Sequence, residues 1–381
     1  MSTRNPNPPL VVFSHLRWDF VYQRPQHLLS RLAERRRVVF IEEPIHNEAG
    51  QPHWEITAPS PNVSVCRPHI SVGGPGFNDE QLPLLKNLVA NLFDELEIGD
   101  YALWLYTPMA LPLAQSLPRE PLAVAYDCMD ELSAFNFAPP RLIEHEQSLM
   151  KWADVVFTGG PSLYRAKKGK HTNLHCFPSS VDVGHFRGAK STPEAADQSH
   201  LPHPRLGWFG VIDERMDLAI LDALAQAHPE WQIVMIGPVV KIDPATLPQH
   251  PNLHYMGPRP YGELPSYLAG WDVCIQPFAR NESTRFISPT KTLEYMAADL
   301  PIVSTPITDV AEPYSHIVYL GATLQEFVAA CERAMSETPE QKRTRIERGK
   351  QVLASTSWDA TSAAIEALIQ KEIARRVPGA V

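Results

Sequence analysis

The feature that most constrains this chain is an alternation of short apolar runs with longer amphipathic stretches, and the alternation runs twice. In the first series, residues 10–14 (LVVFS) read as a buried strand, 26–33 as a helix with Leu28, Leu29 and Leu32 on one face, and 37–41 (RVVFI) as a second strand. A strand–helix–strand unit of this kind implies a parallel sheet. Strands at 63–66, 102–106, 122–127, 155–158 and 174–177, with helices at 81–96, 144–152 and 162–168, continue it. Residues 187–204 are polar, rich in Ala, Ser, Pro and His, and without periodicity, so they read as a linker. A second series follows, with strands at 206–210 (LGWFG), 232–236 (QIVMI), 253–256, 272–277 and 301–304. Its helices are expected at 217–227, 262–269, 290–298, 324–335 and 339–353, and a last helix at 360–374. No repeat of the solenoid kind is present. The expectation is an α/β protein of two Rossmann-like, doubly wound parallel-sheet domains, 1–186 and 205–358, with 359–381 a helix packing back on the first domain. Loops at the carboxyl ends of parallel strands converge on the cleft between such halves, which makes it the expected ligand site.

Composition excludes several classes. A length of 381 residues suits two domains, and 44% apolar with 20% charged residues does not suit a disordered chain. The formal net charge of −9 gives no basic face for nucleic acid. The local triplet Arg35-Arg36-Arg37 reads as a solvated helix end. Five cysteines, an odd number without CxxC or Cys/His spacing, point to neither a disulfide framework nor a zinc site, and fit a reducing cytoplasm. Residues 1–9 lack an apolar signal core, and no apolar run is long enough to span a bilayer. A cytoplasmic protein is expected, with peripheral association at the inner membrane face open to it.

Four segments carry candidate chemistry. Gly210 and Gly237 sit at strand ends, and Gly210 is expected to lead through Arg215 into a helix whose amides suit a diphosphate; a tight turn is the plainer reading. Within 286–298, Ser288 is expected to cap a helix opening at Pro289, which places Thr290 and Lys291 in its first turn. A cation there opposes the helix dipole and suggests an anionic ligand, and Glu294 lies one turn on, on the same face. A surface Lys–Glu pair is an equal reading. Near the start, His15, Trp18, Gln23, Arg24 and Gln26 lie in the first loop and at the next helix start, positions that often touch ligand, although loop packing is commoner. Asp127, Asp130 and Glu131 end a strand and could polarise sugar hydroxyls, act as a base or hold a divalent cation; capping is the better reading for Glu131.

The order of these segments resembles the retaining GT-B glycosyltransferases of family 4, particularly their bacterial envelope-polysaccharide branch. The marks are 177–182 (FPSSVD), 206–210 (LGWFG), Ile236-Gly237-Pro238, Met256-Gly257-Pro258-Arg259 with Glu263-Leu264-Pro265, Trp271-Asp272-Val273, and the block Ser288-Pro289-Thr290-Lys291, Glu294-Tyr295 and 298–303. The resemblance implies a first domain for the acceptor and a second for a nucleotide-sugar donor, UDP being the commonest nucleotide. It implies that Glu294 holds ribose, that Ser288 to Lys291 and Arg215 meet the diphosphate, and that Gly257 to Arg259 follow the base. By the same token Trp18, Gln23, Arg24 and Gln26 would line the acceptor side, with Asp127, Asp130 and His15 as catalytic candidates. No cofactor and no metal are implied, and the acceptor would be a glycan, a lipid-linked sugar or a small molecule. Two positions depart from the family's pattern: Phe286 stands where a first glutamate is usual, and Val211 where an arginine follows the strand glycine. A nucleotide-sugar 2-epimerase-like enzyme on the same architecture and a non-catalytic scaffold are the rival readings.

Overall fold

The computed structural model describes residues 7–48 and 50–376. Most of the segment read for a signal core and the last five residues of the 359–381 segment lie outside the described residues. The first domain is built on a sheet of β1 (Leu10–Ser14), β2 (Val38–Glu42), β3 (Ile45–His46), β4 (His53–Ser60), β5 (Val63–Ile70), β6 (Ala102–Leu105), β7 (Val124–Cys128), β8 (Val155–Thr158) and β9 (Leu174–Cys176). Their spatial order is β3-β5-β2-β1-β6-β7-β8-β9, with β4 antiparallel against β5 and the other pairs parallel. All five residues of β1 are buried, because it pairs with β2 and β6 and is covered on both faces. Leu10 and Val12 face the helices Arg24–Leu32 and Trp358–Arg376; Val11 and Phe13 face Leu82–Glu95. A strand buried on both sides reads as a continuous apolar run, as LVVFS does.

The second domain holds β10 (Arg205–Phe209), β11 (Gln232–Ile236), β12 (Leu253–Gly257), β13 (Val273–Gln276), β14 (Ile302–Ser304) and β15 (Tyr319–Leu320). They form a parallel sheet in the order β12-β11-β10-β13-β14-β15. Its core reaches back to Val181 and Phe186, so the chain enters this domain before the boundary expected at 186. The 187–204 segment is no free tether. Ala189 and Leu201 are buried, the buried Gln198 accepts from Trp271 Nε1 at 3.1 Å, and Asp197 accepts from Arg259 at 2.8 Å. Such anchors leave no sequence signal because isolated apolar and polar side chains, not a periodic apolar face, hold it down.

After the helix Pro339–Ala354 the chain crosses back. Trp358, Ile365, Ile369 and Ile373 of the helix Trp358–Arg376 complete the core of the first domain. Arg36 is buried there and pairs with Glu366, which corrects the solvated-end reading of the arginine triplet. The two domains also touch directly. The Ser162 amide donates to Asp309 Oδ1 at 3.0 Å, Ser179 Oγ donates to the Ser288 carbonyl at 2.6 Å, and Arg165 pairs with Glu312 at 2.8 Å.

Candidate active site

The carboxyl ends of both sheets open on the cleft, where two cavities meet at Val21 and Lys291. The inner one, about 120 Å³, takes Gln23, Arg24 and Asp130 from the first domain and Arg215, Ser288, Pro289, Thr290 and Lys291 from the second. The outer one, about 260 Å³, takes Trp18 from the first domain and Gly210, Gly237, Pro258, Arg259, Lys291 and Glu294 from the second. The sequence candidates therefore converge, with four exceptions: His15, Gln26, Asp127 and Gly257 line neither cavity.

Local geometry explains the floor. Gly210 (φ +147°) and Gly237 (φ +142°) end adjacent strands β10 and β11. A Cβ on Gly237 would stand 1.8 Å from the Gly210 carbonyl oxygen, and one on Gly210 would stand 2.9 Å from Lys291 Cε. Only glycine lets the two strand ends close this tightly beneath the lysine. Gly210 does not open a helix, however. The helix Leu218–Ala227 begins after the Asp217 cap, so its amides are not the expected anion site at Gly210. The helix over the lysine is Thr290–Ala297, with Pro289 at its N-cap; Ser288 lends its carbonyl to Ser179 instead of capping.

The second-domain wall carries groups without partners. Among the described residues Lys291 has no carboxylate at ion-pair distance; its Nζ makes one long hydrogen bond, to Thr290 Oγ1 at 3.5 Å, and lies 6.0 Å from the Phe209 ring centroid. Burial and the nearby Arg215 make this ammonium easier to deprotonate than an ordinary lysine, while Glu294 opposes the shift. Glu294 is buried with Oε2 unbonded, and burial pushes its carboxyl up to about 7 against the pull of Lys291. Arg215 gives Nε and Nη2 to Asp213, at 3.0 Å and 2.7 Å. Arg259 is turned away onto Tyr267 and Asp197.

Much of the first-domain wall is already satisfied. Arg24 donates Nε and Nη2 to the two oxygens of Asp127 at 2.9 and 3.0 Å, and Nη1 to the Phe177 carbonyl at 2.7 Å. Asp127 is wholly buried in that pair, so the catalytic expectation for it is corrected: its carboxylate positions Arg24 and does not face the cleft. Gln26 spends its amide on the Trp18 and Val21 carbonyls and the Gln23 amide, shaping the loop instead of meeting a ligand. His15 is held down to about 4 by burial and Lys241. A neutral imidazole outside both cavities does not suit the catalytic part expected of it. Asp130 lines the inner cavity, its carboxyl raised by burial and held back by Arg215 and Arg24. Glu131 pairs with Lys167 at 2.8 Å.

Several lining residues escaped the sequence reading: Tyr22 and Tyr261, stacked across the domain gap at 4.7 Å, and Trp208, Phe278 and Ser179. Tyr22 lies between the candidates Trp18 and Gln23, Ser179 inside FPSSVD and Trp208 inside LGWFG, so those segments held the signal; nothing local marks Phe278. Among the described residues no group of three or more His, Cys, Asp or Glu is arranged to hold a metal ion, and no helix is long and apolar enough to cross a membrane.

Comparison with known proteins agrees with this architecture. Residues 203–337 match the family model "Glycosyl transferases group 1". Over 276 residues, covering 68% of each protein, the chain is 24% identical to the putative teichuronic acid biosynthesis glycosyltransferase TuaH of Bacillus subtilis (strain 168). Among solved structures, sucrose-phosphate synthase from Thermosynechococcus elongatus superposes with a TM-score of 0.71 at 15% identity, covering 97% of this chain and 100% of that one. A trehalose-6-phosphate structure from E. coli bound with UDP-2-fluoro glucose gives 0.69 at 14% identity, covering 95% and 99%. The chain has the GT-B fold, carries a group 1 glycosyl transferase domain, and is a glycosyltransferase.

Proposed function

We propose that this glycosyltransferase moves a sugar from a UDP-sugar, held mainly by its second domain, to a hydroxyl of a glycan or lipid-linked acceptor entering from its first domain, without a bound metal and with retention of configuration. The carrying observation is Lys291, a cation at the junction of both cavities with no carboxylate at ion-pair distance among the described residues. A group desolvated without compensation is costly unless a ligand completes it. A diphosphate does so, and in binding raises the lysine's proton affinity.

The roles follow from position. The base and ribose occupy the outer cavity, along Gly237, Pro258 and Arg259, and the free Glu294 Oε2 accepts from ribose hydroxyls. The diphosphate lies across Lys291 and Arg215, whose charge stabilises the departing nucleotide in place of a cation cofactor. Gln23 and Asp130 face the acceptor, with Asp130 accepting a hydrogen bond from the attacking hydroxyl. Closure of the two domains aligns that hydroxyl with the anomeric carbon and keeps water out. The fold match to a structure bound with a UDP-sugar analogue and the match to TuaH support the donor class and a polysaccharide setting. A lipid-linked acceptor places the reaction at the inner membrane face.

The test is calorimetric titration with UDP and GDP in EDTA, on the unaltered protein and on Lys291→Ala. Micromolar binding of UDP that the substitution weakens is expected. Binding of neither nucleotide overturns the donor site; binding only after a divalent cation is restored overturns metal independence.

A further inference from the structure

We propose that Phe135 is a positioning residue for the donor's charge: a ring of the first domain that fixes Arg215 and Lys241 of the second, so that the cationic pole of the donor site is completed across the cleft. This rests on the reading of Arg215 as a diphosphate ligand.

Three observations carry it. The Arg215 guanidinium carbon lies 5.5 Å from the Phe135 ring centroid and Lys241 Nζ 5.3 Å from it, both within the range of cation–π attraction. Neighbouring backbone ties down the same approach, because the Asn136 amide donates to Glu214 Oε1 at 3.2 Å, across the domain gap. Arg215 itself is only partly committed. Asp213 takes its Nε and Nη2 edge, and among the described residues Nη1 donates no hydrogen bond. A guanidinium with one edge on a carboxylate and its carbon above a ring has little freedom left to rotate. Its remaining edge is therefore presented in a fixed direction, at the wall of the inner cavity. Two cations beside one ring repel each other in water. Carboxylates nearby make this possible: Asp213, Asp130 and Glu214 act on the arginine and Glu43 on the lysine.

The consequence is a donor site that senses closure. With the domains apart, Phe135 leaves Arg215, which keeps Asp213 but loses its second constraint. Donor binding and closure then favour each other, although Phe135 touches no substrate atom.

The experiment compares Phe135→Leu, which keeps an apolar side chain without an aromatic face, with Phe135→Tyr, which keeps the face. UDP affinity by calorimetry, donor KM and kcat, and thermal unfolding are read for both, with Arg215→Ala as reference. The expected result is UDP binding weakened about five- to tenfold in Phe135→Leu and restored to within about twofold in Phe135→Tyr, at equal unfolding temperature. Donor KM should rise in step. In the Arg215→Ala background, Phe135→Leu should add much less than it does alone. If Arg215→Ala leaves UDP binding unchanged, the reading of Arg215 fails and takes the proposal with it. If Arg215→Ala weakens binding and Phe135→Leu does not, the reading stands and the ring's part is overturned. Equal losses in the Leu and Tyr variants also overturn it, since a cation–π contact survives the second change.

Discussion

The two walls of the cleft treat charge in opposite ways. On the first domain, Arg24 and Asp127 satisfy each other inside the fold, and Lys167 lies between Glu131 and Glu146 at 2.7–2.8 Å. On the second, among the described residues Lys291 has no carboxylate at ion-pair distance and Glu294 keeps an unbonded buried oxygen. Both walls are polar and both are near the chemistry, yet the first leaves mainly the Asp130 carboxyl open, while the second leaves a cation and a buried carboxylate oxygen. Polarity at a cleft thus separates into groups that build its shape and groups that wait for a ligand, and hydrogen-bond accounting tells them apart where residue type does not.

The largest expected effect breaks the first wall. Asp127→Ala leaves Arg24 buried and unpaired and should cost about 3–5 kcal/mol of stability, read as a lowered denaturant midpoint. Nucleotide affinity should fall only as far as the protein unfolds. Next, Lys291→Ala should lower kcat/KM for the donor by about 10²–10³-fold with little change in unfolding temperature, the reverse pattern. Parallel losses of stability and activity in both variants would erase the distinction between the walls.

Glu294→Gln sharpens the comparison further. Burial pushes its carboxyl up to about 7, well above the usual glutamate range, so folding favours the protonated form. Stability is therefore lost as pH rises from about 4.5 to 7, and the Gln variant should be more stable at pH 8 by about 1–2 kcal/mol. Donor affinity should move the other way. The ionised carboxylate accepts from ribose, so wild-type affinity rises as pH passes 7, and that acid limb should vanish in Glu294→Gln. A variant both less stable and unchanged in its pH profile would contradict the role. The smallest effect belongs to the exposed Arg165–Glu312 pair, where Arg165→Ala should change stability by about 0–0.5 kcal/mol.

Much of the fold was legible because parallel strands buried on two sides write themselves as apolar runs. The runs LVVFS, LGWFG and QIVMI reappear as the buried centres of the two sheets. The exposed edge strand β4 (HWEITAPS) carries no such run, pairs on one side only, and left no mark that could be read. The site divides the same way. The lysine and glutamate of the helix Thr290–Ala297 are neighbours in sequence, so their shared face could be deduced. Arg24 and Asp127 lie 103 positions apart, and their mutual neutralisation is written only in three dimensions. That distance is why Asp127 reads from sequence as a free carboxylate and turns out to be half of an ion pair.

The chain passes between the domains twice, before Val181 and again between Leu353 and Trp358. Two straps side by side constrain a joint as a pair of door hinges does. They leave one easy axis of swing, and resist both twisting about the long axis and sliding of one half past the other. Any opening of the cleft on such a joint would retrace one path, and any closing would bring the same faces into register without a search among orientations.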